Sequence, residues 1–573
     1  MRFSLRLPAI LRRRTDKSAR APLEAMHGRL LLAGLVFASV YLTIAGRLVW
    51  FGLTPDRPSV AYLTAQDSVS AARPDILDRN GETLATDIRT ASLYAEPRKI
   101  IDVDEAMEAL ATVLPELDTD TVRRKLSSDT GFQWLKREVT PAIRDKVHAL
   151  GIPGIGFLTE NKRFYPGGPL AAHIMGSVNI DNQGIAGIEK HIDDDGLADL
   201  QALGFAKNRE LEPVRLSIDA RVQHVVRDEV IRGVETFGAK AGVGIVMDVE
   251  TGEIIAMSSI PDFDPNDPAQ ALEKDNMNRA TAGVFELGSV FKTFSTAMAL
   301  DSGKVGLNDS FDARVPLRFG GRTITDFHGK HRVLTVPEIF IFSSNLGTAR
   351  MALSVGIDAE KEFLDRIGMF KRVPMELPES AGPIVPRHWP QVTAVTVSFG
   401  HSISVTPMHA VVAASALMNG GLYIPPTFYP RTHEQAMKVA RRVVSPETSD
   451  KMRYLFRLNV EKGSGKRAEA PGYRVGGKTG TAEKVVNGSY SGNKNLNSFL
   501  AAFPMDKPRY VVLSVVDEPD PSRAGGRTAG FTATTVVSGI VRRIAPMLGV
   551  QPKFPPDLSA EIMAEASART RAQ

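Results

Sequence analysis

Apolar positions along this chain follow three rhythms. Between Arg29 and Arg47 they are almost unbroken: seventeen uncharged residues, LLLAGLVFASVYLTIAG, are followed by Leu48, Val49, Trp50 and Phe51. Such a run is at the short end of a spanning helix, and it becomes comfortable when Arg47 snorkels outward and Trp50 and Phe51 sit in the far headgroup belt. It predicts one transmembrane helix over residues 30–51. A second rhythm, of short pieces, follows. Asn80-Gly81 is a hairpin signal between Ile76-Leu77 and Thr83-Leu84. Ala106, Leu110, Val113 and Leu114, then Val122 and Leu126, repeat at helical spacing. The run from Gly151 to Gly176 is rich in glycine and proline and reads as an irregular segment wrapping a surface.

The third rhythm starts near residue 242 with GVGIVMDVETGEIIAMSSI, two apolar strands flanking a turn at Glu250-Thr251-Gly252. The boundary before it is placed at about residue 232. Helices are predicted from Ser289 to about Leu300, near 336–354 and near 406–418. Strands follow at 473–483, 497–503 and 509–516. A last helix at 532–547 carries Val536, Val537, Ile540, Val541 and Ile544 on one face. Helices set between strands that follow one another as hairpins indicate an α+β fold with an antiparallel sheet. The resulting plan is a basic segment 1–29, the membrane helix 30–51, an elongated mixed domain 52–232, an α+β domain 233–550 and a loose tail 551–573.

At 573 residues the chain is long enough for two to four folded units. It has no cysteine, which excludes disulfides, thiolate catalysis and iron–sulfur clusters. Charge sharpens the membrane reading. Residues 1–29 hold eight basic side chains against Asp16 and Glu24, a net of +6, so the rest of the chain carries −1 of the overall +5. A basic flank stays in the cytoplasm by the positive-inside rule, which sends everything after residue 51 across the membrane. The nearly neutral body argues against nucleic acid as a partner.

Three short strings carry candidate chemistry. Glu286-Leu287-Gly288-Ser289-Val290-Phe291-Lys292 sets a serine and a lysine on one face at the opening of a helix. As a catalytic pair, Ser289 is the nucleophile and Lys292 its base, which requires a site that depresses the lysine by about three pKa units. As a bland alternative, Ser289 is a helix cap. Ser343-Ser344-Asn345 stands in the apolar stretch FIFSSNLGTARMAL, and Lys478-Thr479-Gly480-Thr481 in a glycine-rich strand. There a cation and two hydroxyls share one edge, and Gly480 lets a substrate backbone approach closely. Each string alone is weak.

In this order they resemble the serine, S-x-N and K-T-G signature of the penicillin-recognising acyltransferases, a set that is a standard example of catalytic motifs. Arg73, Asp75, Asp78, Arg79, Asn80 and Gly81 resemble the opening motif of class B penicillin-binding proteins, with Pro74 in place of a glycine. Arg163, Tyr165, Pro166, His173, Gly176 and Glu189 resemble later motifs of the pedestal domain of that class. The resemblance implies a membrane-anchored transpeptidase with a β-lactamase-like catalytic domain. Ser289 would attack the penultimate D-alanine of a peptidoglycan stem peptide. Lys292 would take its proton, and Ser343 would relay a proton to the leaving amine. Asn345 would bind the substrate amide and hold Lys292 in place. Lys478, Thr479 and Thr481 would bind the terminal carboxylate.

It also implies β-lactams as inhibitors, glycan strands derived from lipid II as substrate, and a membrane-embedded glycosyltransferase and other division proteins as partners. SSNLGTARMALSVGI and SFGHSISVTPMH look more like the division enzyme than the elongation enzyme. Leu287, Val290 and Ser402 depart from the usual residues without removing a reactive group. Readings set aside are a β-lactamase or carboxypeptidase and a sensor or scaffold without activity. So is a P-loop at Gly472 to Thr479, which matches in letters but runs into Gly480 instead of a helix. His328 and His331 have the spacing of a metal pair without a third ligand, and no cofactor is expected.

Overall fold

The computed structural model describes residues 34–47, 72–197, 211–319, 321–327, 329–486, 489–523 and 527–554. The basic segment 1–29, the ends of the expected membrane span, the tail beyond 554 and His328 lie outside them. Residues 34–47 form one helix, and no helix among the described residues is long and apolar enough to cross a membrane.

The first sheet is organised by one long strand. Strand β1 (Ile76–Leu77) turns through Asn80-Gly81 into β2 (Thr83–Ala95), as the hairpin signal predicts. Asp78 builds that turn: its Oδ1 accepts the N–H groups of Asn80 at 2.7 Å and Glu82 at 2.8 Å, and its Oδ2 that of Ala220 at 3.0 Å. Helices Val103–Val113 and Asp120–Leu126, capped by Asp102 and Thr119, bury the predicted Ala106, Leu110, Val122 and Leu126. Strand β3 (Gln133–Val139) pairs with the far part of β2.

The turn-rich run from Gly151 holds a correction. Residues Ile155–Phe164 are strand β4, paired with β2 from Thr86↔Phe164 to Ala95↔Ile155. The glycines and prolines cluster at the ends of the run, and cross-strand pairing decides the conformation of its middle. Strand β5 (Val214–Arg215) then joins β1 in parallel.

Behind this sheet lies a buried ionic knot. Glu189, with no exposed surface, takes Arg73 Nε at 2.8 Å on one oxygen and Arg163 Nε at 2.6 Å on the other. Arg73 also reaches Asp193 at 2.7 Å, and Arg163 reaches Asp87 at 3.1 Å and the Pro74 carbonyl at 2.9 Å. Breaking a buried pair from one side leaves uncompensated charge, at a cost of about 3–5 kcal/mol. Glu189→Leu is therefore expected to lower stability by about that much in urea unfolding. A loss below about 1 kcal/mol would show that Asp87 and Asp193 suffice.

The second sheet is antiparallel throughout. Strands β6 (Ala241–Asp248), β7 (Ile254–Ile260), β8 (Gly476–Val486), β9 (Ser489–Phe503) and β10 (Tyr510–Asp517) run in the order β8-β9-β10-β6-β7, so β8 and β7 are edges. Every residue of β6, β7 and β10 is buried, because helices cover both faces. On one side lie Ala220–Phe237 and Ala533–Met547, the latter through the predicted valines and isoleucines. On the other lie the apolar helices Lys292–Asp301 and Pro407–Met418. Residue 232 falls inside the helix Ala220–Phe237, which packs on β6 and β7. The approach is close because a Cβ at Gly242 or Gly244 would meet Val226 and Val230 methyls at 2.6–2.8 Å.

Candidate active site

The helix Lys292–Asp301 is buried from Lys292 to Leu300, Thr293, Ser295 and Thr296 included, and so lies at the centre of the domain. It is entered through one tight turn, Gly288–Phe291, so Ser289 is half-buried at the mouth while Lys292 is 1% exposed. The stretch read as one helix over 336–354 is two, Val336–Phe342 and Asn345–Val355. The first ends at Ser343, whose backbone is left-handed at φ 57°, and Ser344 caps the second by accepting the Gly347 N–H at 2.9 Å. A left-handed serine is uncommon, and this one turns its hydroxyl toward the two buried lysines.

Lys292 Nζ donates to the Ser343 carbonyl at 2.5 Å and to Ser343 Oγ at 3.0 Å. Lys478 Nζ, from β8, donates to the same Oγ at 3.0 Å and to the Thr479 carbonyl at 3.2 Å, and lies 5.8 Å from the centre of the Phe340 ring. A hydroxyl with two lone pairs can accept from both amines and still offer its own proton. Neither lysine has an ion pair among the described residues, so each meets a low dielectric without an acid in direct contact. Burial holds Lys292 well below the ordinary lysine range, and the like charge of Lys478 adds to this while Asp326 opposes it. Burial pushes Lys478 down to about 7.

Asp326 has no signal in the sequence, yet it anchors the middle string. Its carboxylate accepts Ser344 Oγ at 2.7 Å and the Leu346 N–H at 2.9 Å. Asn345 donates its amide to the Thr325 carbonyl at 3.1 Å, and Lys292 donates its hydrogen bonds to Ser343. On β8, Thr479 Oγ1 is 2.6 Å from Ser464 Oγ, and Thr481 Oγ1 accepts the Ala529 N–H at 3.1 Å. Gly480 has a different use from the one its sequence context indicates. A Cβ there would lie 2.4 Å from the Leu287 carbonyl and 2.8 Å from Val290 Cγ2, so the missing side chain admits the nucleophile's own turn against the strand.

That turn is clasped from its other side. Gly288 N–H donates to the Gly400 carbonyl at 3.2 Å, and Glu286 Oε1 accepts the Ser402 N–H at 2.7 Å. Ser402, left-handed at φ 64°, is further tied through its hydroxyl to Thr396 Oγ1 at 2.9 Å. Lys478 and Thr479 sit mid-strand in β8, which excludes the helix a P-loop requires. Among the described residues no group of side chains could hold a metal ion.

The family model described as "Penicillin binding protein transpeptidase domain" matches residues 242–538, and "Penicillin-binding Protein dimerisation domain" matches residues 68–197. A probable peptidoglycan D,D-transpeptidase FtsI of Caulobacter vibrioides is 39% identical over 85% of this chain and 83% of its own length. A probable peptidoglycan D,D-transpeptidase PenA of Neisseria meningitidis is 32% identical over 92% of each chain. The crystal structure of penicillin binding protein 3 from Mycobacterium tuberculosis, complexed with aztreonam, has the same fold, with a TM-score of 0.64 at 23% identity over 85% of this chain and 98% of that one.

Proposed function

Because the chain belongs to the class B penicillin-binding proteins, the family of the peptidoglycan D,D-transpeptidases, we propose that Ser289, Lys292, Ser343, Asn345 and Lys478 carry its acyl transfer. The observation that carries this reading is the convergence of Lys292 and Lys478 on Ser343 Oγ, each at 3.0 Å, beside the turn that holds Ser289. Ser289 Oγ attacks the carbonyl carbon of the penultimate D-alanine while Lys292 Nζ takes its proton. The amide bond to the last D-alanine breaks, and Ser343 Oγ delivers a proton to the departing amine. Backbone N–H groups of Ser289 and Thr481 hold the oxyanion, and Lys478, Thr479 and Thr481 take the terminal carboxylate. The amine of a second stem peptide then attacks the ester, releasing Ser289 and leaving a crosslink. Asn345 orients the substrate amide.

The two lysines also fix a pH dependence of stability. Between about 7 and the ordinary lysine value of 10.5, Lys478 is charged when unfolded and neutral when folded. The unfolded state binds the extra proton there, so unfolding free energy rises with pH across that window, by about 1.4 kcal/mol per unit for one full proton. Urea midpoints at pH 7, 8 and 9 are expected to rise in wild type relative to Lys478→Met. A constant difference between the two would contradict the depressed lysine.

In the cell, the enzyme acts at the division septum, anchored by a single helix over residues 30–51 with its bulk outside the cytoplasmic membrane. Residues from 52 to about 219 form the pedestal, and the helix Ala220–Phe237 with the chain to 550 forms the transpeptidase. Strand polymerisation comes from a membrane-embedded glycosyltransferase that works with the division proteins. The net +6 of residues 1–29 and the FtsI and PenA relatives support this. A reporter active only outside the cytoplasm is expected to work fused after residue 60 and to fail before residue 25. Depletion separates the roles: filaments or branched cells without septa support division, whereas rounded cells that still divide assign the enzyme to wall elongation.

A further inference from the structure

The chain that leads into Ser289 is tied to the pedestal at two points. Residues 276–288 approach the nucleophile through a stretch that is polar and yet buried at Asn276, Asn278, Arg279 and Thr281. At its start, His173 Nε2 of the pedestal donates to the Asn276 carbonyl at 2.7 Å. Further on, it is laced to two other segments. Ala381 N–H donates to the Thr281 carbonyl at 2.9 Å, and Thr281 Oγ1 to the Glu379 carbonyl at 2.5 Å. Ile384 and Ser404 exchange hydrogen bonds at 2.8 and 3.0 Å, and Phe285 and Val405 do so at 2.9 and 3.0 Å. Each of the segments 276–288, 379–384 and 400–405 is therefore bonded to both others. The last of them supplies the Gly400 carbonyl and Ser402 N–H that clasp the nucleophile's turn.

Glu379 ties this ring of segments back to the pedestal, because its carboxylate oxygens lie 3.2 and 3.3 Å from the Gly187 nitrogen and accept its N–H. His173 and Gly187 belong to one closely packed piece. Their short helices, Ala172–Met175 and Gly187–Ile192, meet so tightly that a Cβ at Gly176 would lie 1.9 Å from the Ala186 carbonyl oxygen. The second helix also carries Glu189, the centre of the ionic knot. We propose that His173 and Glu379 are positioning residues for acyl transfer: they fix the nucleophile's lead-in segment to one piece of the pedestal and so set where Ser289 stands relative to Lys292. The inference rests on the reading of Ser289 as the acylated serine, and it gives the pedestal a part in the reaction. Folding has other ties to the same segment, since Ser259 of β7 donates to the Met277 carbonyl at 3.2 Å and accepts the Arg279 N–H at 3.0 Å.

The test follows penicillin labelling of the full chain in detergent by stopped flow over a range of concentrations. This separates the dissociation constant of the non-covalent complex from the rate constant of acylation. His173→Leu and Glu379→Ala are each expected to slow acylation by about tenfold, within what a misplacement of ~1 Å costs, and to leave the dissociation constant within about twofold of wild type. His173→Gln and Glu379→Gln keep a donor and an acceptor on those arms and should restore most of the rate. Where a truncated form does not fold, His173→Asn or Glu379→Asp, which shortens the arm, is expected to show the same slowing. A truncated variant that acylates at the wild-type rate, whatever its urea midpoint, reduces that residue to bracing and overturns its place in the clamp. Glutamine variants as slow as the truncated ones overturn it as well. If wild type takes up no penicillin, or Ser289→Ala takes up as much, the acyl-enzyme reading itself falls.

Discussion

Labelled penicillin is expected to attach covalently to the wild-type chain at Ser289, adding one acyl group by intact mass, and Ser289→Ala is expected to take up none. The expectation follows from what surrounds the serine. Its turn is held between Gly480 of β8 and the Gly400 carbonyl, a rigid seat next to two amines whose positive charge burial disfavours. Removing a serine nucleophile whose partners act as a unit typically costs on the order of 10⁶ in turnover. Retention of label at the same place in Ser289→Ala would remove the centre of the mechanism.

Lys292→Met is expected to separate chemistry from stability. The methionine keeps most of the lysine's length and removes the group that takes the serine's proton, so penicillin acylation should fall by about 10²–10⁴-fold. Unfolding free energy should stay level or rise, because Lys292 is 1% exposed and pairs with no acid among the described residues, and an apolar replacement there avoids the desolvation cost. Stopped-flow labelling and urea unfolding of the same preparation read both quantities. Full acylation in Lys292→Met would move the base to another group, and Lys478 is the nearest amine to Ser343 Oγ.

How far the sequence foretold these arrangements differs with the physical cause. Ser289, Ser343 and Lys478 are marked by short strings, and the local grammar of the strands and of the helix carrying Val536 to Ile544 is plain because both faces of the sheet are covered by apolar helices. Strand β4 was hidden because its conformation comes from β2, sixty or more residues away by register, and not from its own residues. The break at Ser343 was half legible, because Ser343-Ser344-Asn345 in its apolar surroundings also reads as a polar loop or helix cap, and the structure makes Ser343 the C-cap of one helix and Ser344 the N-cap of the next. Asp326 and Glu286 are ordinary acids in ordinary contexts; their importance is a matter of what the chain folds against them, Ser344 and Leu346 in one case and Ser402 and Tyr490 in the other. Gly480 was legible as a demand for closeness, but the neighbour it makes room for is the enzyme's own Leu287 carbonyl.

Among the described residues, strand β8, which bears Lys478, pairs only with β9 in the sheet and so forms an edge. An edge strand keeps a row of backbone donors and acceptors unspent. An extended peptide laid along it would join the sheet as a sixth strand, gripped through its main chain. A small rigid molecule of similar backbone shape would complete the sheet in the same way, and whatever completes it resists unfolding together with the protein that holds it.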